Sequence, residues 1–276
     1  MQVFLALGLW VLPSRAVQNA NQSPLDMFPI TVHPHLFHAL FEAAALSTGA
    51  FYYRWLQQRA GVPLGALMQG GKFAVLLGCL FGAAIGNKLM FWIEMPHLLP
   101  LYWNKPEVWF AGQSMVGGLL GGLIGVELAK KISGVRSSTG DAFVFPVLLG
   151  LMIGRVGCFV AGLEDGTYGV PTSLPWGIDF GDGIPRHPTQ LYEIAFAALL
   201  WVLLRRVQLA WAMQSGLLFK VMLSSYLLWR LWVDGLKPVP FDYGFGWSGI
   251  QVVCAIALLF YMPLCWEQWR KLKVVA

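Results

Sequence analysis

Arg155, Glu193 and Arg230 each fall inside an apolar stretch of the chain. An ionisable side chain at membrane depth costs about 3 kcal/mol, so each is a functional candidate by default. Arginine stays charged in such a setting and presents a planar fork that matches phosphate. Tyr226, Arg230 and Asp234 are spaced i, i+4, i+8 and therefore share one helical stripe. Arg186 and His187 precede Glu193 closely enough to stand at the mouth of its helix, roughly one turn above it. Such a group suits a ligand with an anionic head and an apolar tail. The plainer alternative is that the charges pair with one another and lock helices together, which explains a single Arg–Glu pair as well as any ligand does. Convergence of the whole set on one level favours the ligand.

The elements that must position these residues are apolar helices. The 276 residues are 57% hydrophobic, 14% aromatic and only 12% charged, with a mean hydropathy of +0.60. Soluble domains carry about twice that charge, so a water-soluble enzyme, a disordered chain and a nucleic-acid module are excluded. Seven stretches approach the roughly 20 apolar residues of a membrane span: 36–56, 73–93, 108–129, 142–161, 189–204, 216–233 and 248–266. The fifth is the shortest. The predicted fold is an all-α bundle of seven transmembrane helices, with 1–30 as an N-terminal segment and 31–276 as the membrane domain.

Basic residues set the orientation. Arg54, Arg59, Lys72, Lys130, Lys131, Arg136, Arg205, Arg206, Arg270, Lys271 and Lys273 lie on one side, against Lys105, Arg186 and Lys237 on the other. Eleven against three places the first side in the cytoplasm, the N-terminus outside and the C-terminus inside. The net charge of +5 is thus a topology signal, not a nucleic-acid footprint. Arg155, Glu193, Arg230, Lys88 and Glu42 then all fall near the outer level, whereas Lys220 lies near the inner end and is expected to snorkel to head groups.

Other features carry less. The apolar run within residues 1–20 resembles a signal-peptide core but has no basic residue before it. Cys79, Cys158, Cys254 and Cys265 form no CxxC pair, and no zinc site is legible. His33, His35 and His38 are read as interfacial, with a metal as the rival that their spacing would suit. Gly117, Gly118, Gly121, Gly122 and Gly125 are read as a helix-packing stripe, with lipid approach as the rival. The loop 162–188, rich in glycine, proline and aromatics, is expected to be an outer head or lid.

Two segments are sharper: Gly154-Arg155-Val156-Gly157-Cys158-Phe159-Val160-Ala161-Gly162 and Arg186-His187-Pro188-Thr189-Gln190-Leu191-Tyr192-Glu193. With Tyr226 and Arg230 they resemble the prolipoprotein diacylglyceryl transferase family of bacterial inner-membrane enzymes, over roughly residues 30–266. The resemblance implies transfer of diacylglyceryl from phosphatidylglycerol to a lipobox cysteine of a prolipoprotein, releasing glycerol phosphate, at an outward-facing lipid pocket beneath a periplasmic loop. It implies catalytic roles for His187, Glu193, Tyr226 and Arg230, and phosphatidylglycerol binding by Gly154, Arg155, Gln190 and Arg230. No metal or cofactor is expected.

The chain departs from the family pattern in three places. Cys158 stands for an asparagine, and Leu163, followed by Glu164, for a glutamate. Val116, in Ser114-Met115-Val116-Gly117-Gly118, stands for a third-span histidine held to be essential. A transferase with another acceptor and a non-catalytic lipid-binding protein are the alternatives.

Overall fold

The computed structural model describes residues 34–275 apart from 64, 67–68, 70, 106–111 and 211–215. The expected N-terminal segment and its signal-like run, with His33, lie outside the described residues. Among the described residues the fold is all-α apart from one two-stranded hairpin. The helices are α1 (Pro34–Arg59), α2 (Gly71–Glu94), α3 (Leu99–Tyr102), α4 (Met115–Ser133), α5 (Val144–Ala161), α6 (Thr189–Ala210), α7 (Leu217–Val233) and α8 (Gly249–Val275). This differs from the expected seven by α3, a four-residue helix. Pro96 and Pro100 open the 3₁₀ turn before it and α3 itself, at positions where a missing N–H costs nothing.

Three helical segments are long and apolar enough to cross a membrane by length and composition: Gly71–Glu94, Asp141–Asp165 and Gly249–Arg270. Their outward faces agree with a lipid setting. Phe81 is 65% exposed, and Leu259 and Phe260 are each 75% exposed, an apolar surface that water would not tolerate.

Some boundaries moved. α4 starts at Met115, not at 108, because Ser114 caps it by accepting from the Gly117 N–H. It ends at Gly134, whose φ of +70° terminates the helix at no side-chain cost. α6 is not the shortest helix. It runs 22 residues, through Arg205 and Arg206, because charge does not end a helix that has no glycine or proline to break it. α7, with 17 residues, is the shortest of the long ones.

Two packing modes hold the helices. α2 packs most extensively against α4, and α1 against α5. On α2, Gly78, Gly82 and Gly86 face Gly125, Gly121 and Gly117 of α4, backbone to backbone. A Cβ on Gly82 would come within 2.3 Å of the Gly121 carbonyl oxygen. The glycine stripe therefore divides: 117, 121 and 125 form this seam, whereas Gly118 and Gly122 line a cavity. A second core gathers Val116, Leu148, Ala197, Leu223, Tyr226 and Leu227.

Helix starts are capped from a distance. The Asp141 carboxylate accepts from Gly216 N at 2.5 Å and from Phe219 N at 2.9 Å, at the start of α7. Glu94 Oε1 accepts from Ile250 N at 2.7 Å, at the start of α8. A carboxylate there also complements the positive end of the helix dipole. Lys220 donates to Gln268 Oε1 of α8 at 2.8 Å.

The loop 162–188 is folded. Its strands β1 (Ile178–Asp179) and β2 (Pro185–Arg186) pair antiparallel, and Asp179 Oδ1 accepts from the N–H groups of Gly181, Asp182 and Gly183 in the turn. Arg186 pairs with Asp182 at 2.5 Å and lies over the Tyr168 ring at 5.2 Å. The Arg186 guanidinium holds the Asp182 carboxyl below the usual carboxylate range. The loop is tied down by Val170 N to Leu236 O at 2.8 Å and by Thr189 Oγ1 to Thr167 O at 2.6 Å.

Candidate active site

Three helices deliver one buried charge network. Arg155, near the end of α5, pairs with Glu193, one turn into α6: Nε lies 2.8 Å from Oε2, and Nη2 donates to Oε1 at 3.2 Å. Glu193 also accepts from the Tyr226 hydroxyl of α7 at 2.9 Å. The Arg230 guanidinium donates to Tyr226 Oη at 3.3 Å and grips Asp234 through Nε and Nη2 at 2.8 and 2.9 Å. Lys237 closes the row, 3.1 Å from Asp234. The i, i+4, i+8 stripe is therefore a working set: Tyr226, Arg230 and Asp234 are all under 5% exposed.

The charges do pair across helices, as the plainer reading holds. They do more, because the network forms part of a cavity wall. A cavity of about 2710 Å³ runs between helices α1, α2, α4, α5 and α8. Its lining includes one charged group with Glu42, Lys88, Arg155, Arg230 and Asp234, a second with Lys72, Glu127, Lys130 and Lys131, and apolar residues such as Leu76, Val147 and Leu151. Each guanidinium has five N–H donors, and the carboxylates, phenol and thiol around these two leave some of them over. An anion reaching the first group meets two arginines fixed in place before it arrives, the preorganised arrangement that stabilises developing negative charge.

The expected site residues do not all reach that wall. Gly154, Arg155 and Arg230 line the cavity. Glu193 and Tyr226 stand behind it, holding the two arginines. Gln190 is 1% exposed, and neither its amide nitrogen nor its oxygen finds a hydrogen-bond partner. His187 is half-buried and faces Tyr192, with Nδ1 3.2 Å from the hydroxyl, while Trp176 Nε1 donates to the same oxygen at 2.7 Å. It is brought to the hairpin, not to the charge network. Val116, in the family's histidine position, is fully buried in the second core.

Sequence reasoning took His38 for an interfacial histidine and did not single out Asp165 as a site residue. His38 Nδ1 lies 3.1 Å from Asp165 Oδ1, and Asp165 also accepts from Thr167 Oγ1. Cys158, beside them, accepts from Arg155 Nη1 at 3.5 Å. The signal for Asp165 was its distance of seven residues from Cys158, two helical turns along one face. Glu164, the acid nearest the family position, drew attention instead.

The family profile described as prolipoprotein diacylglyceryl transferase matches residues 25–266. The chain is 31% identical over 252 residues to the phosphatidylglycerol–prolipoprotein diacylglyceryl transferase of Nitratidesulfovibrio vulgaris (strain DSM 19637 / Miyazaki F), covering 79% of this chain and 91% of that one. It is 31% identical over 211 residues to the protein of the same name from Legionella pneumophila (strain Paris), covering 72% and 77%. With that from Nitrosomonas europaea it shares 32% identity over 196 residues, covering 60% and 68%.

Proposed function

Because this chain belongs to the prolipoprotein diacylglyceryl transferase family, we propose that it transfers diacylglyceryl from phosphatidylglycerol to the lipobox cysteine of a prolipoprotein. The observation that carries this reading is that Arg155 and Arg230 both line one cavity whose wall also carries a long run of apolar side chains. Phosphate docks between the guanidiniums and the acyl chains follow the apolar flank. The acceptor sulfur attacks the glyceryl methylene, so a C–S bond forms as the C–O bond to phosphate breaks. The electron pair stays on the phosphate oxygen, where the two arginines neutralise it. The thiol proton goes to a base.

Gly154 keeps the wall low beside Arg155. Glu193 and Tyr226 are positioning residues that hold both arginines, and Gln190, buried on the same helix as Glu193, backs the head-group site from behind the wall. His187 and the hairpin shape entry. The long helices α1, α2, α4, α5, α6, α7 and α8 are the seven spans in this reading, with the N-terminus outside, the C-terminus in the cytoplasm and loop 162–188 over an outward-facing pocket of the bacterial inner membrane. The bias of eleven basic loop residues against three supports it. Residues 1–30 stand apart from this transferase domain.

Purified protein in phosphatidylglycerol liposomes with a lipobox peptide tests the proposal. A diacylglyceryl adduct on the peptide cysteine, found by mass spectrometry and lost in Arg155→Ala, is the expected result. No adduct from a preparation in which another family member succeeds would sink it. Val116 favours one second reading, transfer to a different acceptor, which releases glycerol phosphate without marking the peptide.

A further inference from the structure

Three side chains on the cavity wall take no part in holding the phosphate. His38 comes from α1, Cys158 from α5 and Asp165 from the 3₁₀ turn that follows α5. Their ligand atoms, an imidazole nitrogen, a thiol sulfur and a carboxylate oxygen, all lie within 4.8 Å of one another. All three residues line the cavity. The His38–Asp165 ion pair accounts for two of them but not for the sulfur set beside an acid.

Imidazole, thiolate and carboxylate are the donor types zinc takes in threes at sites that keep a fourth position open. Bonds of about 2.0–2.3 Å in a tetrahedron put neighbouring ligands about 3.3–3.8 Å apart, so the His38–Asp165 pair at 3.1 Å needs to open only slightly and no pair here exceeds 4.8 Å. Charge agrees as well: a thiolate and a carboxylate balance one divalent cation. Arg155 Nη1, 3.5 Å from Cys158 Sγ, serves as an outer donor to a zinc-bound sulfur.

We propose that His38, Cys158 and Asp165 form a zinc site whose fourth position, open to the cavity, binds the acceptor thiol as a thiolate. The acceptor half rests on the transfer proposed above. Zinc meets a need this chain has in particular. Val116 cannot take a proton, Glu193 is committed to Arg155 and Tyr226, and His187 is turned to Tyr192. The incoming thiol displaces a zinc-bound water and its proton leaves on that water as hydronium. The zinc-bound sulfur then attacks the glyceryl methylene as the phosphate oxygen departs with the bonding pair. The thioether product is a weaker ligand and water replaces it.

The test uses the full-length chain purified without a metal-affinity step. Elemental analysis is expected to find about one zinc per chain, falling at least tenfold in Cys158→Ser and in His38→Ala but not in Cys254→Ser. Monodispersity and helical circular dichroism establish that each variant is folded. Cobalt substitution is expected to give thiolate-to-metal charge-transfer absorption that changes when lipobox peptide is added. Wild-type protein with neither zinc nor a cobalt band overturns the site, and so does zinc retained by Cys158→Ser. A cobalt band that the peptide thiol leaves unmoved overturns the acceptor half. Full adduct formation after chelation overturns the zinc proposal while leaving the transferase standing. Bound zinc without any adduct sinks the transferase and spares the site.

Discussion

The seam between α2 and α4 and the charged junction of α5, α6 and α7 solve the same problem by opposite means. Both join helices where apolar side chains alone give little preference, since neighbouring lipid would be as apolar as a neighbouring helix. The first does so by removing side chains, so that Gly82 and Gly121 meet through their backbones. It leaves no group able to act on anything. The second buries Arg155, Glu193, Arg230 and Asp234, which costs far more desolvation but retains donors at a cavity wall. The first device alone holds helices together without retaining any donor for a ligand. The second therefore points to a site.

Breaking the glycine seam is expected to have the largest effect. Gly82→Leu drives a side chain into the Gly121 carbonyl and destabilises by on the order of 5 kcal/mol or more. Size-exclusion chromatography should show aggregate and no monodisperse species. Gly118→Ala sharpens the contrast, because its Cβ has nothing nearer than the Ala83 oxygen at 4.0 Å. It should leave the melting behaviour within about 0.5 kcal/mol of wild type.

At the charged junction, Arg155→Ala removes the nearer partner of a buried pair and leaves Glu193 with the Tyr226 hydroxyl and with Arg230 at 3.9 Å. A loss of about 3–5 kcal/mol in stability is expected, along with a fall in transfer rate of about 10²–10³-fold. Detergent melts and adduct mass spectrometry measure the two. A variant that melts early yet transfers at full rate would reduce this junction to the role of the glycine seam. Tyr226→Phe deletes only a hydroxyl and should cost about 1–3 kcal/mol, read in the same melts.

The smallest effect lies in the hairpin. Asp182 has a folded pKa below its unfolded one, so its pairing with Arg186 stabilises the hairpin above the unfolded value. That contribution fades as pH falls through the folded value, below about 4. Limited proteolysis within the hairpin, between residues 178 and 186, should quicken there, and Asp182→Asn should weaken that pH dependence.

Much of this was legible in residue types and spacing. Apolar length gave the long helices, and the i, i+4, i+8 stripe gave Tyr226, Arg230 and Asp234 as neighbours on one face. The glycine stripe was seen as packing, but its division between a seam and a cavity wall was not. That division depends on which face α2 covers, a tertiary choice that the periodicity of α4 alone does not encode. The direction of the His187 ring was not legible, because a loop residue near Glu193 in sequence need not point along the helix. Here Gly169 N donates to the His187 carbonyl and Tyr192 takes the ring. His38 and Asp165 went unseen as a pair because 127 positions separate α1 from the end of α5.

The remote caps bear on how the chain is made. α7 cannot satisfy its first N–H groups until Asp141, 75 residues upstream of Gly216, is in place. α8 has a local cap, with Gln251 N donating to the Ser248 hydroxyl, but its Ile250 N–H waits on Glu94 across 156 residues. Both carboxylates leave the ribosome before the helices they serve, so order of synthesis and order of docking coincide. A circular permutation that moved α2 behind α8 would keep every cap in the finished bundle, yet leave the last helix emerging into the bilayer without its acceptor.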